Sequence, residues 1–356
     1  MARALVKEIK DTRKNYIING DMRIAQRGTS FATIANTAYS LDRWRYGKSG
    51  AMVHTVSQGT DVPTAAQANY LFQNSYVATL TTPDTAIAAG DYCLIQQFVE
   101  GYNWANLAQK PMTLSFWVKA TLTGTYCVGL RNSGTDRSYV AEYTINATNT
   151  WEYKVITIAA SPSAGTWNYT NGLGLNISWV LAAGTTYQTT AGSWQTGDYF
   201  ATANQVNGVN TGATSFLLTG VKLNEGSISS PFSLFGEDFE GEVAACQRYY
   251  EKSYNLTDAP GLATETGAFS TISLNASEFY NYGYVRFRLV KRAAPIVSSW
   301  STNGVFGQLR NFNLASNQGN TGILRVSDSS VNFNCSNASM TSVNIFGLQW
   351  TADAEL

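Results

Sequence analysis

Residues 15–46 read NYIINGDMRIAQRGTSFATIANTAYSLDRWRY. Asn19-Gly20-Asp21 is turn chemistry, because Asn and Gly tolerate positive φ at little cost. Gln26-Arg27-Gly28-Thr29 is a second turn-prone cluster. Between them Met22 and Ile24 alternate with Arg23 and Ala25, the period of a short half-buried strand. Arg27, Asp42 and Arg43 are expected to form an ion-pair cluster that pins this first strand to a sandwich.

The residues that follow predict that sandwich. Leu114, Phe116 and Val118 alternate with Ser115, Trp117 and Lys119. Tyr126, Val128 and Leu130 alternate in the same way, as do Tyr139, Ala141, Tyr143 and Ile145. Leu173, Leu175, Ile177, Trp179 and Leu181 form the longest run of this period, and residues 215–223 close the series. Turn clusters such as Asn132-Ser133-Gly134-Thr135-Asp136 and Asn171-Gly172 separate them, a pattern that argues for antiparallel strands in a sandwich. After Pro231-Phe232, residues 237–252 (EDFEGEVAACQRYYEK) predict a short helix, acidic at its start and basic at its end as the helix dipole favours. Val243, Ala244, Cys246 and Tyr250 are its expected buried face. Alternation returns at Val285, Phe287 and Leu289 and at Val331, Phe333 and Cys335. The expected organisation is a segment 1–14, a sandwich 15–235, a helical connector 236–255 and a smaller β-rich domain 256–356. The fold class is mainly β.

Composition narrows the function. Charged residues are 13% of the 356, about half of the usual ~25%. Net charge is zero, so no basic field exists to hold nucleic acid, and no such motif is present. Cys93, Cys127, Cys246 and Cys335 lie far apart with no C-x-x-C pair and read as small core hydrophobes or free thiols. His54 is the one histidine, which removes histidine-based metal sites; no metal or cofactor is expected. Residues 1–14 are charged throughout and lack a signal-peptide core, and no run of 18 apolar residues suggests a membrane span. Leu5 and Ile9 allow one to three helical turns in this segment.

Catalysis has weak support. Glycoside hydrolysis uses two carboxylates facing across a cleft, and no spacing singles out a pair among Asp91, Glu100, Glu142 and Asp198. No phosphate-binding loop, dinucleotide fingerprint or nucleophile elbow occurs. No catalytic residue is assigned, and the chain is read as a non-enzyme. Aromatics in turn-rich stretches point instead to sugar, whose C–H face packs on a ring while amides and guanidinium groups meet its hydroxyls. Trp104, Trp167, Tyr169, Tyr187 and Trp194 are such candidates, beside Asn103, Asn106, Asn168 and Gln195. Trp300 and Arg310 are the candidates in the C-terminal region. Trp117, Trp151 and Trp179 fall in predicted strands and read as core.

The opening stretch also resembles the start of a phage tail-fibre family, N-x-(L/I)-I-N-G-D-x-x-I-x-Q-R-G-T-S-F followed by D-R-W. Here the matching residues run from Asn15 through Asn19, Gly20, Asp21, Gln26, Arg27 and Gly28 to Asp42, Arg43 and Trp44. The resemblance continues at Leu94, Gln96, Val99, Glu100 and Gly101, at Lys110 and 113–120, at Ser138, Tyr139 and 143–146, and at Gly165-Thr166-Trp167. Cys246-Gln247-Arg248-Tyr249-Tyr250-Glu251-Lys252 resembles the C-Q-R-Y-Y-E-K that follows the sandwich in such fibres, and Arg292-Ala293-Ala294-Pro295 a recurring lead-in to the terminal domain's next strand. The resemblance implies a jelly-roll sandwich similar to carbohydrate-binding modules. It also implies a homotrimeric virion protein, assembled in the host cytoplasm, joined to other virion proteins through residues 1–14. Its partner would be a bacterial surface polysaccharide, making it a receptor-binding protein. A capsid-attached fibre or decoration protein is the alternative, and a polysaccharide depolymerase the second. Residues 300–313 are expected to dominate receptor affinity, with Trp167 and Trp194 secondary. Deleting 256–356 is expected to leave a folded middle domain that no longer competes for receptor.

Overall fold

The computed structural model describes residues 14–212, 214–273, 281–319, 321–335 and 344–356. The expected helical turns at 1–14 lie outside them, except for Lys14. Alternation becomes strands β1 (Ser30–Phe31), β2 (Trp44–Ser49), β3 (Val53–Gly59), β4 (Ser75–Thr82), β5 (Tyr92–Glu100) and β6 (Met112–Ala120). These are followed by β7 (Gly124–Asn132), β8 (Arg137–Ile145), β9 (Glu152–Ile158), β10 (Leu173–Ala183), β11 (Trp194–Thr196) and β12 (Ser215–Glu225). They build two antiparallel six-stranded sheets, β1-β3-β4-β12-β6-β9 and β11-β8-β7-β10-β5-β2. The chain passes back and forth between the sheets, as in a jelly roll. Leu114, Phe116 and Val118 from one sheet meet Val128, Leu130, Ile177 and Trp179 from the other in a single buried core. Helical turns α1 (Ala65–Ala68) and α2 (Gly101–Trp104) punctuate the loops.

The opening stretch does not form the strand expected at Met22 and Ile24. Residues 15–21 instead take over β12 where β4 stops pairing. β4 covers Ser215 to Leu218; beyond a bulge, Val221 N donates to Gly20 O and Tyr16 N donates to Leu223 O. The Asn15 side chain imitates a strand, accepting from Leu223 N and donating to Val221 O. Gly20 is required here, since a Cβ would lie 2.2 Å from Val221 O. Asn19, at φ 57°, closes the turn through Ile24 and Asp42 and accepts from the Trp44 indole.

Helix α3 (Phe239–Gln247) is shorter than expected. Asp238 caps it by accepting from Gly241 N, and its buried residues are Glu242, Cys246 and Gln247 rather than Val243 and Ala244. Tyr250 belongs to strand β13 (Tyr250–Lys252). Then come β14 (Phe269–Ser273), β15 (Asn281–Arg286), β16 (Ile296–Ser301), β17 (Leu309–Asn311), β18 (Ser316–Gln318), β19 (Thr321–Leu324), β20 (Ser330–Cys335) and β21 (Asn344–Asp353). β21 is the spine of this region, pairing with β13, β14, β16 and β17; β15, β20 and β19 form a smaller sheet. Pro295 leads into β16, as the sequence suggests.

The expected ion-pair cluster is corrected. Arg27 pairs with Asp353 at 3.0 Å and Arg43 pairs with Glu355, 312 positions away. Asp42 pairs with neither arginine in the structure; its carboxylate accepts from the backbone and side chain of Gln26. These arginines therefore tie the sandwich to the C-terminal region. The second matched segment meets them there. Arg27 lies over the Tyr250 ring and Arg43 over Tyr249. Arg248 makes a two-pronged contact with Glu100, which also accepts from the Tyr249 hydroxyl. Cys93, Cys127 and Cys246 are buried free thiols. No helix among the described residues is long and apolar enough to cross a membrane.

Candidate functional site

At one edge of the sandwich, three of the candidate aromatics form one row. Trp104 ends α2, directly after Glu100-Gly101, and packs its Cβ against Gly174, where a side chain would lie 2.4 Å away. It is 0% exposed and offers no face to a ligand, so the expectation that it binds sugar is corrected. Its role is support. The Trp167 ring stacks on it at 5.1 Å and 20°, and Trp194 stands at 73° to Trp167, 5.7 Å away. Tyr139 backs Trp194 across the β8–β11 pairing.

The loop that presents Trp167 is held by polar contacts. Asp136 accepts from Asn132 Nδ2 and from the backbone and hydroxyl of Thr166, and these bonds hold its carboxyl below the usual range. The indole N–H groups of Trp167 and Trp194 donate to Ala164 O and Ala159 O. With their N–H groups engaged, both half-buried rings have fixed orientation and present carbon surface. Tyr169, 41% exposed, stands on the next turn, where Asn168 Oδ1 accepts from Thr170 N and Gly172 N.

The second pair also comes together. Trp300 lies opposite Gln349 on β21 and Arg310 opposite Gly347, so both side chains lie on one face of the C-terminal sheet. β16 and β17 follow one line along β21, interrupted by the loop 302–308. That loop carries Phe306, 67% exposed and edge-on to Trp300 at 5.5 Å. Phe312 lies across Gly347, where a Cβ would be 2.6 Å from its ring. The Arg310 guanidinium has no hydrogen bond or ion pair among the described residues.

Sequence reasoning missed a third aromatic surface. Trp117 and Tyr153 are paired neighbours on β6 and β9, with rings 5.3 Å apart on the outer face of their sheet. Trp151 is half-buried at the same edge, its indole donating to Asp61. Only Trp179 of the three tryptophans expected in the core is there, at the sandwich centre. The signal was available: Trp117 alternates with Phe116 and Val118, both apolar and inward-facing, so it points outward.

The carboxylates considered for catalysis all have partners. Glu100 holds Arg248 and Tyr249; Asp198 pairs with Arg131; Glu142 accepts from Thr202 and Asn204; Asp91 accepts from Ser49. No group of three or more His, Cys, Asp or Glu that could hold a metal ion occurs among the described residues. His54 is buried against Tyr46, and burial pushes its pKa down to about 4.

No protein-family model matches the chain, and no curated protein matches it. Among solved structures, one described as a family 4 carbohydrate-binding module is similar at 14% identity and TM-score 0.31, over 59% of this chain and 99% of that one. A family 61 module in complex with β-1,4-galactotriose is similar at 11% identity and TM-score 0.28, over 60% and 99%. A tandem family 22 module from Paenibacillus barcinonensis is similar at 8% identity and TM-score 0.28, over 92% and 99%. Likenesses this loose carry no argument about ligand.

Proposed function

We propose that this chain is a virion fibre protein that binds a bacterial surface polysaccharide, through the Trp167–Trp194 platform and the Trp300–Arg310 face. One observation carries the sugar reading: Trp167, half-buried, is stacked on a fully buried Trp104, with its N–H engaged. A large aromatic ring immobilised at a surface supplies contact area at little ordering cost. The fibre reading is supported by the matched segments, whose residues meet in the structure as Arg27 and Arg43 against Tyr249 and Tyr250. The test is retention of the purified chain on immobilised capsule or lipopolysaccharide, with Trp167→Ala and Trp194→Ala as controls. Retention equal in all three sinks the platform. Steady release of reducing ends in the same incubation would show a depolymerase instead.

A structural virion component is the second reading. Ile272 and Ile345 are paired and exposed on the face that carries Arg310, and Ile296 is exposed nearby. Exposed apolar surface of this kind suits side-to-side assembly, and closed symmetry would satisfy it without open-ended growth. In this reading alone the homotrimer contact would lie there, in place of a glycan contact on the Trp300–Arg310 face. Light scattering at micromolar concentration tests it, a monomer mass being the contrary result. The position of the chain in a virion map separates tail fibre from capsid decoration.

A further inference from the structure

A cavity of about 290 Å³ opens between α3, the opening stretch and the C-terminal region. That is near the lower end of ligand pockets, which run from about 300 to 1,000 Å³. Gln247 lines it. This residue is 8% exposed, yet its side-chain amide makes no hydrogen bond among the described residues. Its polar atoms are not sealed off either, so the open direction for this amide is the cavity. Gln26, also lining the cavity, donates through Nε2 to Asp42 and Tyr250, while its Oε1 accepts nothing among the described residues. Amide groups of nearly buried side chains are mostly matched by a partner, so two that face one cavity with polar atoms unmatched point to a ligand there.

The lining carries two cations, Lys252 and Arg288, and one anion, Glu240. The Lys252 ammonium is engaged by the carbonyls of Gln26, Leu256 and Asp258. The exposed lining residues Glu240 and Arg288 carry opposite signs. Phe239 and Val243 add an apolar side. With the Lys252 donors taken up by three carbonyls, a wall of amide groups and a patch of carbon matches a molecule with hydroxyls on its rim and C–H groups on its face.

We propose that this cavity is a binding site for a neutral polyhydroxylated ligand of monosaccharide size, distinct from the aromatic platform. The assignment does not rest on the platform reading, since its argument uses the cavity alone. Saturation-transfer NMR on the full chain tests it, with methyl α-glucoside, methyl α-galactoside and N-acetylglucosamine as probes. The expected result, read in the Trp167→Ala/Trp194→Ala chain so that the platform contributes nothing, is transfer to at least one probe that is weakened tenfold or more when Gln247→Leu is added. If Gln247→Leu fails to fold, Val243→Phe, which narrows the cavity from the helix side, must abolish the signal. Absence of transfer to all three probes overturns the proposal, as does transfer that survives both cavity variants. Transfer seen in the parent but absent from the Trp167→Ala/Trp194→Ala chain overturns it too, and assigns the sugar to the platform.

Discussion

The guanidinium of Arg43 lies 3.5 Å from the centre of the Tyr249 ring, across the seam between the sandwich and the C-terminal region. The same side chain pairs with Glu355 and donates to Phe98 O at 2.6 Å, and it is fully buried. Its backbone sits at φ 71°, a conformation that non-glycine residues adopt only when surroundings dictate it. Removing one partner of a buried ion pair costs about 3–5 kcal/mol, because the other charge stays behind. Arg43→Ala should lose stability on that scale in urea unfolding. Arg43→Lys should lose part of it, since an ammonium cannot match the planar stack. An Arg43→Ala midpoint equal to the parent's would mean that the seam is not held here.

Much of the sandwich was legible, and the seam was not. Leu175, Ile177 and Trp179 announced an inward face because strand periodicity is local. Trp104 misled because a turn-rich setting suggests exposure, while the helical turn after Gly101 folds its ring inward. Arg27 and Arg43 misled for a different reason. Their acidic partners, Asp353 and Glu355, lie at the far end of the chain, and no local pattern links them. Asp42 was the nearer carboxylate, but it is committed to Gln26.

Gly20 and Gly129 should resist substitution for steric rather than conformational reasons. A Cβ on Gly129 would lie 2.3 Å from the Phe200 Cβ, which covers the outer face of β7. Gly20→Ala pushes residues 15–20 off β12, and Gly129→Ala lifts the loop that carries Phe200. Forced overpacking typically costs about 1–3 kcal/mol. Thermal melts of both variants check this; unchanged midpoints would mean that these contacts relax freely.

Two buried groups should make opposing contributions to the pH dependence of stability. Burial, with the Lys48 charge, lowers His54 from 6.5 to about 4. Between those values the unfolded chain takes up a proton that the folded chain does not, so this contribution is lost as pH falls. Burial raises Glu242 from 4.5 to about 7. There the folded chain keeps a proton that the unfolded chain has released, so stability falls as pH rises. Asp21, raised by burial, acts in the same sense as Glu242. Each of the two large contributions is on the order of 3 kcal/mol, so they largely cancel between pH 4.5 and 6.5. Glu242→Gln should unmask the histidine: its stability in urea should climb steeply across that window. A curve as flat as the parent's would contradict the assignment.

The same seam changes how the proposed receptor binding should be tested. Deleting 256–356 removes β21, the partner of β13, and takes Asp353 and Glu355 away from Arg27 and Arg43. A truncated chain that no longer competes for receptor would then report lost stability as readily as a lost site. Point variants avoid this. Trp104→Ala should cost about 3–5 kcal/mol, as large core truncations do, and any binding loss it shows is indirect. Trp167→Ala and Trp194→Ala remove half-buried rings and should keep a folded sandwich. Arg310→Ala removes a guanidinium with no partner among the described residues, so its melting point should match the parent's. If the C-terminal face is the principal reader, the Trp300→Ala/Arg310→Ala chain should compete with phage for adsorption far less well than Trp167→Ala/Trp194→Ala. If the chain assembles as the proposed trimer, three copies magnify a modest per-site change, since avidity can exceed single-site affinity by roughly 10²–10⁴. A double variant that competes as well as the parent, with the platform variant failing, would move the receptor contact to Trp167 and Trp194.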